Sequence, residues 1–148
     1  VTEFVSGLDL VKWQLRVASG VELPFSQDDV RVDGHAIECR INAETPEFLP
    51  SCGTVSMLHV PGGPWVRFDT ALFQGASVPP YYDSMLGKLV ISSPSREEAI
   101  RKMRSALGEL VIEGVAENSE LQLDILSNPE FVSGVYHTDL MEHLYGDE

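Results

Sequence analysis

The run Gly34 to Glu44, GHAIECRINAE, has residue types and spacing that suit chemistry. Read by twos, Ile37, Cys39, Ile41 and Ala43 form one set and Glu38, Arg40, Asn42 and Glu44 the other. This is the alternation of a strand with one apolar face. On its polar face an arginine stands among carboxylates and an amide. A guanidinium presents a planar fork of donors that suits carbonate, carboxylate or an enolate oxygen. Glu38 and Glu44 could aim that fork, and Asn42 could add a donor. The competing reading is a solvated sheet face, and spacing alone favours it.

A second grouping is Val78-Pro79-Pro80-Tyr81-Tyr82-Asp83. Residues before proline avoid the helical region, so this run is expected to be extended. Tyr81 and Tyr82 should then point opposite ways, one to the core and one to a surface. The run is either a sheet corner or a means of placing Asp83 to orient an arginine on a neighbouring strand. A third grouping, Trp65, Arg67 and Phe68, surrounds the turn Pro61-Gly62-Gly63-Pro64. Core suits Phe68, and a partner contact suits Arg67.

Other chemistries lack their residues. The Pro-Gly-Gly-Pro turn has neither the lysine nor the following helix of a phosphate loop, and no Gly-x-Ser-x-Gly elbow occurs. His35, His59, His137 and His143 are scattered, whereas zinc needs three or four converging ligands, so no metal site is expected. Cys39 and Cys52 are read as reduced thiols in a cytoplasmic protein. Ten Lys and Arg against 23 Asp and Glu give a net charge of −13, which repels phosphate backbones and argues against nucleic acid. No apolar run is long enough to span a bilayer, and no signal peptide is visible.

These groups need elements to hold them. Asp9 caps a helix running to about Ser19, with Leu10, Val11, Gln14, Leu15 and Ala18 expected on its inner side and Gly20 at its end. Strands are expected at His35 to Ala43, Thr54 to Val60, Trp65 to Thr70 and Met85 to Ser92, separated by proline and glycine turns. Ser95-Arg96-Glu97-Glu98 reads as a capping box. Ile100, Met103, Leu107 and Leu110 then form a helical stripe. Val111 to Val115 is a short extended segment, Asn118 caps another helix that Asn128-Pro129 ends, and Thr138 caps a last one to about Tyr145. A helix, several antiparallel strands and then helices make an α+β order, antiparallel strands flanked by helices. The 148 residues suit one domain, and an opening Val1-Thr2-Glu3 reads as part of a longer polypeptide.

Six stretches in register carry a resemblance: VTE..SG.DLV..QLR.A.G, GHAIECRINAE, FLPS.G, PGG, VPPYYDSMLGKL and REEAIRKMRSALGEL. The chain resembles the C-terminal domain of biotin carboxylase, the ATP-grasp component of biotin-dependent carboxylases, over nearly its whole length. VPPYYDSMLGKL looks most like the bacterial acetyl-CoA carboxylase component. The resemblance implies an enzyme that uses ATP and Mg²⁺ to activate bicarbonate, then carboxylates biotin on a biotin carboxyl carrier protein. ATP and metal would bind a preceding ATP-grasp region of the same polypeptide, and the isolated chain would be inactive. Arg40 matches the family arginine that holds bicarbonate and the biotin ureido oxygen, which reverses the preference for a solvated face. Glu38 and Asp83 are expected to orient it. Family members often form homodimers through this domain, and Arg16, Arg67 and Trp65 are the expected contact residues. Pro64 stands where many bacterial members carry phenylalanine, Thr45, Cys52 and Glu117 are further departures, and the loop to Phe48 is one residue short. Propionyl-CoA, methylcrotonyl-CoA or pyruvate carboxylases, or a non-catalytic interaction module, are the alternatives.

Overall fold

The computed structural model describes residues 1–146. Two helices open the chain, α1 (Thr2–Ser6) and α2 (Leu10–Ala18). A 3-10 turn at Gln27–Asp29 leads to β1 (His35–Asn42). Short strands β2 (Gly53–Thr54) and β3 (Met57–His59), then β4 (Val66–Thr70), β5 (Ser77–Val78) and β6 (Met85–Ser93) follow. The chain continues through α3 (Arg96–Glu109), β7 (Val111–Glu113), α4 (Ser119–Ser127), α5 (Pro129–Ser133) and α6 (Leu140–Tyr145). The α+β order expected from the sequence is the one observed, and all strand pairs among the described residues are antiparallel.

The main sheet has the order β1-β6-β4. The apolar set of β1 faces α3. Cys39 lies across from Leu89 and Leu89 across from Phe68, while Ile37 and Val66 flank Ile91. The stripe Ile100, Met103, Leu107 and Leu110 closes over this face, and all four are buried. The helix starts where the sequence says, because Ser95 Oγ accepts from the Glu98 N–H at 3.3 Å. Gly87 is required beneath Phe68, since a Cβ there would lie 2.7 Å from the ring Cζ.

Some expectations need correcting. The run 54–60 is not one strand: β2 pairs with β5 and β3 with β7, with the chain bending between them at buried Val55. Neither Tyr81 nor Tyr82 enters the core; they are 84% and 83% exposed, because the chain turns after Pro80 and alternation holds only along a strand. The supposed inner side of α2 is bare, with Leu10, Val11 and Leu15 exposed. Asp9 does cap α2 through the Lys12 N–H at 3.0 Å, and Trp13 packs edge-on against Phe25. The last helix is entered from Asp139 rather than Thr138. Asn128 both ends α4 and caps α5, a helix the sequence reading lacked.

Both cysteines are free, Cys39 buried and Cys52 exposed. Burial, and secondarily the Glu38 charge, pushes the Cys39 thiol up to about 12 from an ordinary 9.0. Above about pH 9 the unfolded chain releases this proton while the folded chain keeps it. Stability is therefore lost as pH rises from about 9 towards 12, by about 1.4 kcal/mol per pH unit from this group. Denaturation midpoints at pH 8 to 10.5 should fall less steeply in Cys39→Ala than in the parent, although the variant starts lower because it leaves a cavity.

Candidate functional site

Arg40 is presented by the face of the main sheet opposite α3. β1 alternates strictly here, so burying Cys39 and Ile41 turns Glu38 and Arg40 outward. The Arg40 side chain is 71% exposed, and its Nε lies 3.6 Å from Glu38 Oε1. That is its only ion pair among the described residues, and at this exposure it steers the guanidinium without neutralising it. Across the strand Arg40 faces Lys88, and Lys88 in turn faces Asp69. Asp69 is held by Arg67 at 2.9 Å, so Lys88 has no ion-pair partner among the described residues. Like charges directly opposite each other on a sheet repel. Arg40 and Lys88 therefore form a cationic spot on an otherwise acidic molecule, suited to a small anion.

The other residues singled out in the sequence fall in different places. Glu38 stands beside Arg40, as its position two residues earlier requires. Glu44 does not reach it, because its Oε1 accepts from Ser84 Oγ at 2.5 Å. Asp83 makes no ion pair with Arg40 and lines a separate cavity with Cys52, Pro79 and Tyr82. An orienting role for Asp83 thus has no direct contact behind it. Trp65 is 67% exposed, and the neighbouring Lys102 Nζ donates to Pro64 O at 3.4 Å and Ser92 O at 3.0 Å. Arg67 lies over the Phe4 ring at 5.1 Å and also pairs with Glu3 at 3.3 Å. Arg16 lies over Trp13 at 4.8 Å on α2. Arg16 on α2 is thus held by a different aromatic from the one that holds Arg67.

Two residues near Arg40 were missed. Lys88 could have been found by alternation outward from buried Leu89. Asn118 carries no local signal of its role. It stands at the start of α4 but makes no capping bond with its side chain, which instead reaches β1. Among the described residues no three of His, Cys, Asp and Glu gather to hold a metal ion.

The family model described as the biotin carboxylase C-terminal domain matches residues 38–143. The chain belongs to the biotin carboxylase C-terminal domain family. It is 49% identical over 144 residues to biotin carboxylase 1 of Bacillus subtilis, covering 96% of this chain and 32% of that protein. It is 48% identical over 147 residues to the biotin carboxylase of Haemophilus influenzae, covering 99% and 33%. The solved biotin carboxylase domain dimer of the Hydrogenobacter thermophilus 2-oxoglutarate carboxylase, in complex with MgADP, ADP and bicarbonate, superposes with a TM-score of 0.94. It is 43% identical, over 97% of this chain and 32% of that one. The chain thus spans about a third of the length of the biotin carboxylases it matches.

Proposed function

We propose that this chain is one domain, the C-terminal part of a biotin carboxylase that uses ATP and bicarbonate to carboxylate biotin on a biotin carboxyl carrier protein, for acetyl-CoA carboxylation. The observation that carries the reading is Arg40, an exposed guanidinium steered by Glu38 and set opposite Lys88 on an acidic protein. Bicarbonate, or the ureido oxygen of biotin as N1 loses its proton, would bring the negative charge this spot lacks. A cation fixed where charge develops stabilises that transition state more than the ground state. ATP and Mg²⁺ are assigned to the ATP-grasp region of the same polypeptide, as the family resemblance implies. MgADP and bicarbonate in the Hydrogenobacter protein support both as ligands of the whole enzyme.

The bare apolar side of α2 suits continued packing against that ATP-grasp region. Trp65 and Arg67 suit a homodimer contact, as does Arg16, and the dimer of the Hydrogenobacter domain supports one. A cytoplasmic setting fits the two free thiols, and no helix of the described residues is long and apolar enough to cross a membrane. A 2-oxo acid as final acceptor is the second reading, favoured by likeness to the 2-oxoglutarate carboxylase domain. The complete polypeptide should cleave ATP in a bicarbonate- and biotin-dependent way, whereas residues 1–148 alone should not. Turnover by the purified fragment, or a complete polypeptide indifferent to biotin, would refute the reading. Adding the matching carboxyltransferase with acetyl-CoA or 2-oxoglutarate separates the two acceptors.

A further inference from the structure

We infer that Asn118 is a positioning residue that fixes the direction of Arg40 through the backbone. The inference rests on the role proposed above for Arg40. β1 is the edge strand of its sheet, so the peptide groups on its outer side have no neighbouring strand. The Asn118 carboxamide stands in for one. Its Nδ2 donates to Arg40 O at 3.3 Å, and its Oδ1 accepts the Asn42 N–H at 2.9 Å. One planar group thus holds both peptide units around Ile41. Gln122, one turn along α4, adds a contact from its Nε2 to Arg40 O at 3.5 Å.

The clamp sits where the sheet itself is weakest. On the inner side Ile41 pairs with Gly87 but Asn42 pairs with Met85, so the ladder slips by one residue. Such a slip interrupts the regular hydrogen bonds and bends the strand. Asn118 is free to act because Glu117 has taken over the start of α4: its carboxylate accepts the Ser119 N–H at 2.6 Å and the Ser119 hydroxyl at 2.7 Å. Losing the clamp would let the peptide after Arg40 rotate. A long side chain amplifies that rotation at the guanidinium, and a misplacement of about 1 Å can cost on the order of 100-fold in rate.

The test is a double-mutant cycle in the complete polypeptide, read as biotin-dependent ATP cleavage. Asn118→Ala should lower kcat by about 100-fold and leave KM for ATP in place. Asn118→Asp keeps the acceptor for Asn42 and loses the donor to Arg40, so it should fall between. In an Arg40→Ala background either change should cost less than about twofold more, because its target is gone. Equal losses in both backgrounds, or an unchanged kcat in the single variants, would overturn the positioning role. If Asn118→Ala fails to fold, Asn118→Asp carries the same cycle. If Arg40→Ala itself leaves kcat unchanged, the reading of Arg40 has failed and this inference falls with it; a loss in Arg40→Ala without one in the Asn118 variants sinks this inference alone.

Discussion

Exchanging Arg40 for alanine in the complete polypeptide is expected to lower biotin carboxylation by about 100- to 1000-fold, the range for removing a fixed charge-stabilising group. ATP binding should be spared, since the reading places the nucleotide elsewhere. Folding should be spared too. The side chain is mostly in water and makes a single ion pair at 3.6 Å, a contact that adds little to stability. This combination distinguishes the proposal from a merely structural arginine, whose loss would move the thermal midpoint and the rate together. Arg40→Lys retains the charge but not the planar fork, so it should recover only part of the activity. Steady-state kinetics with free biotin, beside a thermal melt of each variant, decide the matter. A full rate in Arg40→Ala would return the residue to a solvated sheet face.

Gly114→Ala should be the most damaging single methyl in the chain. Gly114 follows β7 with φ 99°, and a Cβ there would lie 2.0 Å from Thr54 O and 2.9 Å from Ser56 N. Both obstacles are backbone, so no side-chain rotation relieves them. The same crossing leaves a Cβ on Gly53 only 2.6 Å from Gly114 O, so two glycines interlock to let the segments touch. The Ser56 N–H also donates to Glu113 O at 2.8 Å, beside the β3–β7 pair. Strain from the positive φ and overlap with fixed atoms together predict a loss of about 3 to 5 kcal/mol. Gly75→Ala provides the control, for its φ of 93° is similar but the space around it is open. Denaturant midpoints should separate the two variants clearly. Equal losses would show that backbone strain, not the crossing, governs Gly114.

The elements nearest Arg40 were readable because each declares itself locally. Alternation in GHAIECRINAE separates Cys39 and Ile41 from Glu38 and Arg40 without knowledge of any partner strand. The stripe of α3 and its Ser95 cap are equally self-contained. What the sequence hid depends on distant atoms. Asn118 is a plausible helix cap by residue type, yet its amide is spent on a strand 76 residues away, and only the folded chain reveals that choice. Periodicity finds the apolar side of α2 but says nothing about what covers it, so Leu10 and Val11 were placed inward. Alternation misled at Tyr81 and Tyr82 because the backbone there is a turn. Charge alone suggests Asp83 as a partner for Arg40, but Asp83 lines a cavity with Cys52, Pro79 and Tyr82, and the residue across from Arg40 on β6 is Lys88.

The Asn118 clamp also sets an order in time. β1 must wait for β6, about fifty residues later, before Cys39 can meet Leu89. The edge of β1 stays open until the start of α4 arrives. Closing such long loops is slow compared with winding a helix. During synthesis, then, α3 can form while Arg40 is still on an unsecured edge. A nascent chain ending before Asn118 can hold most of the sheet and still lack an aligned arginine. Alignment of the cationic spot is in this sense a late event in this domain, a seal set only once the start of α4 has been made.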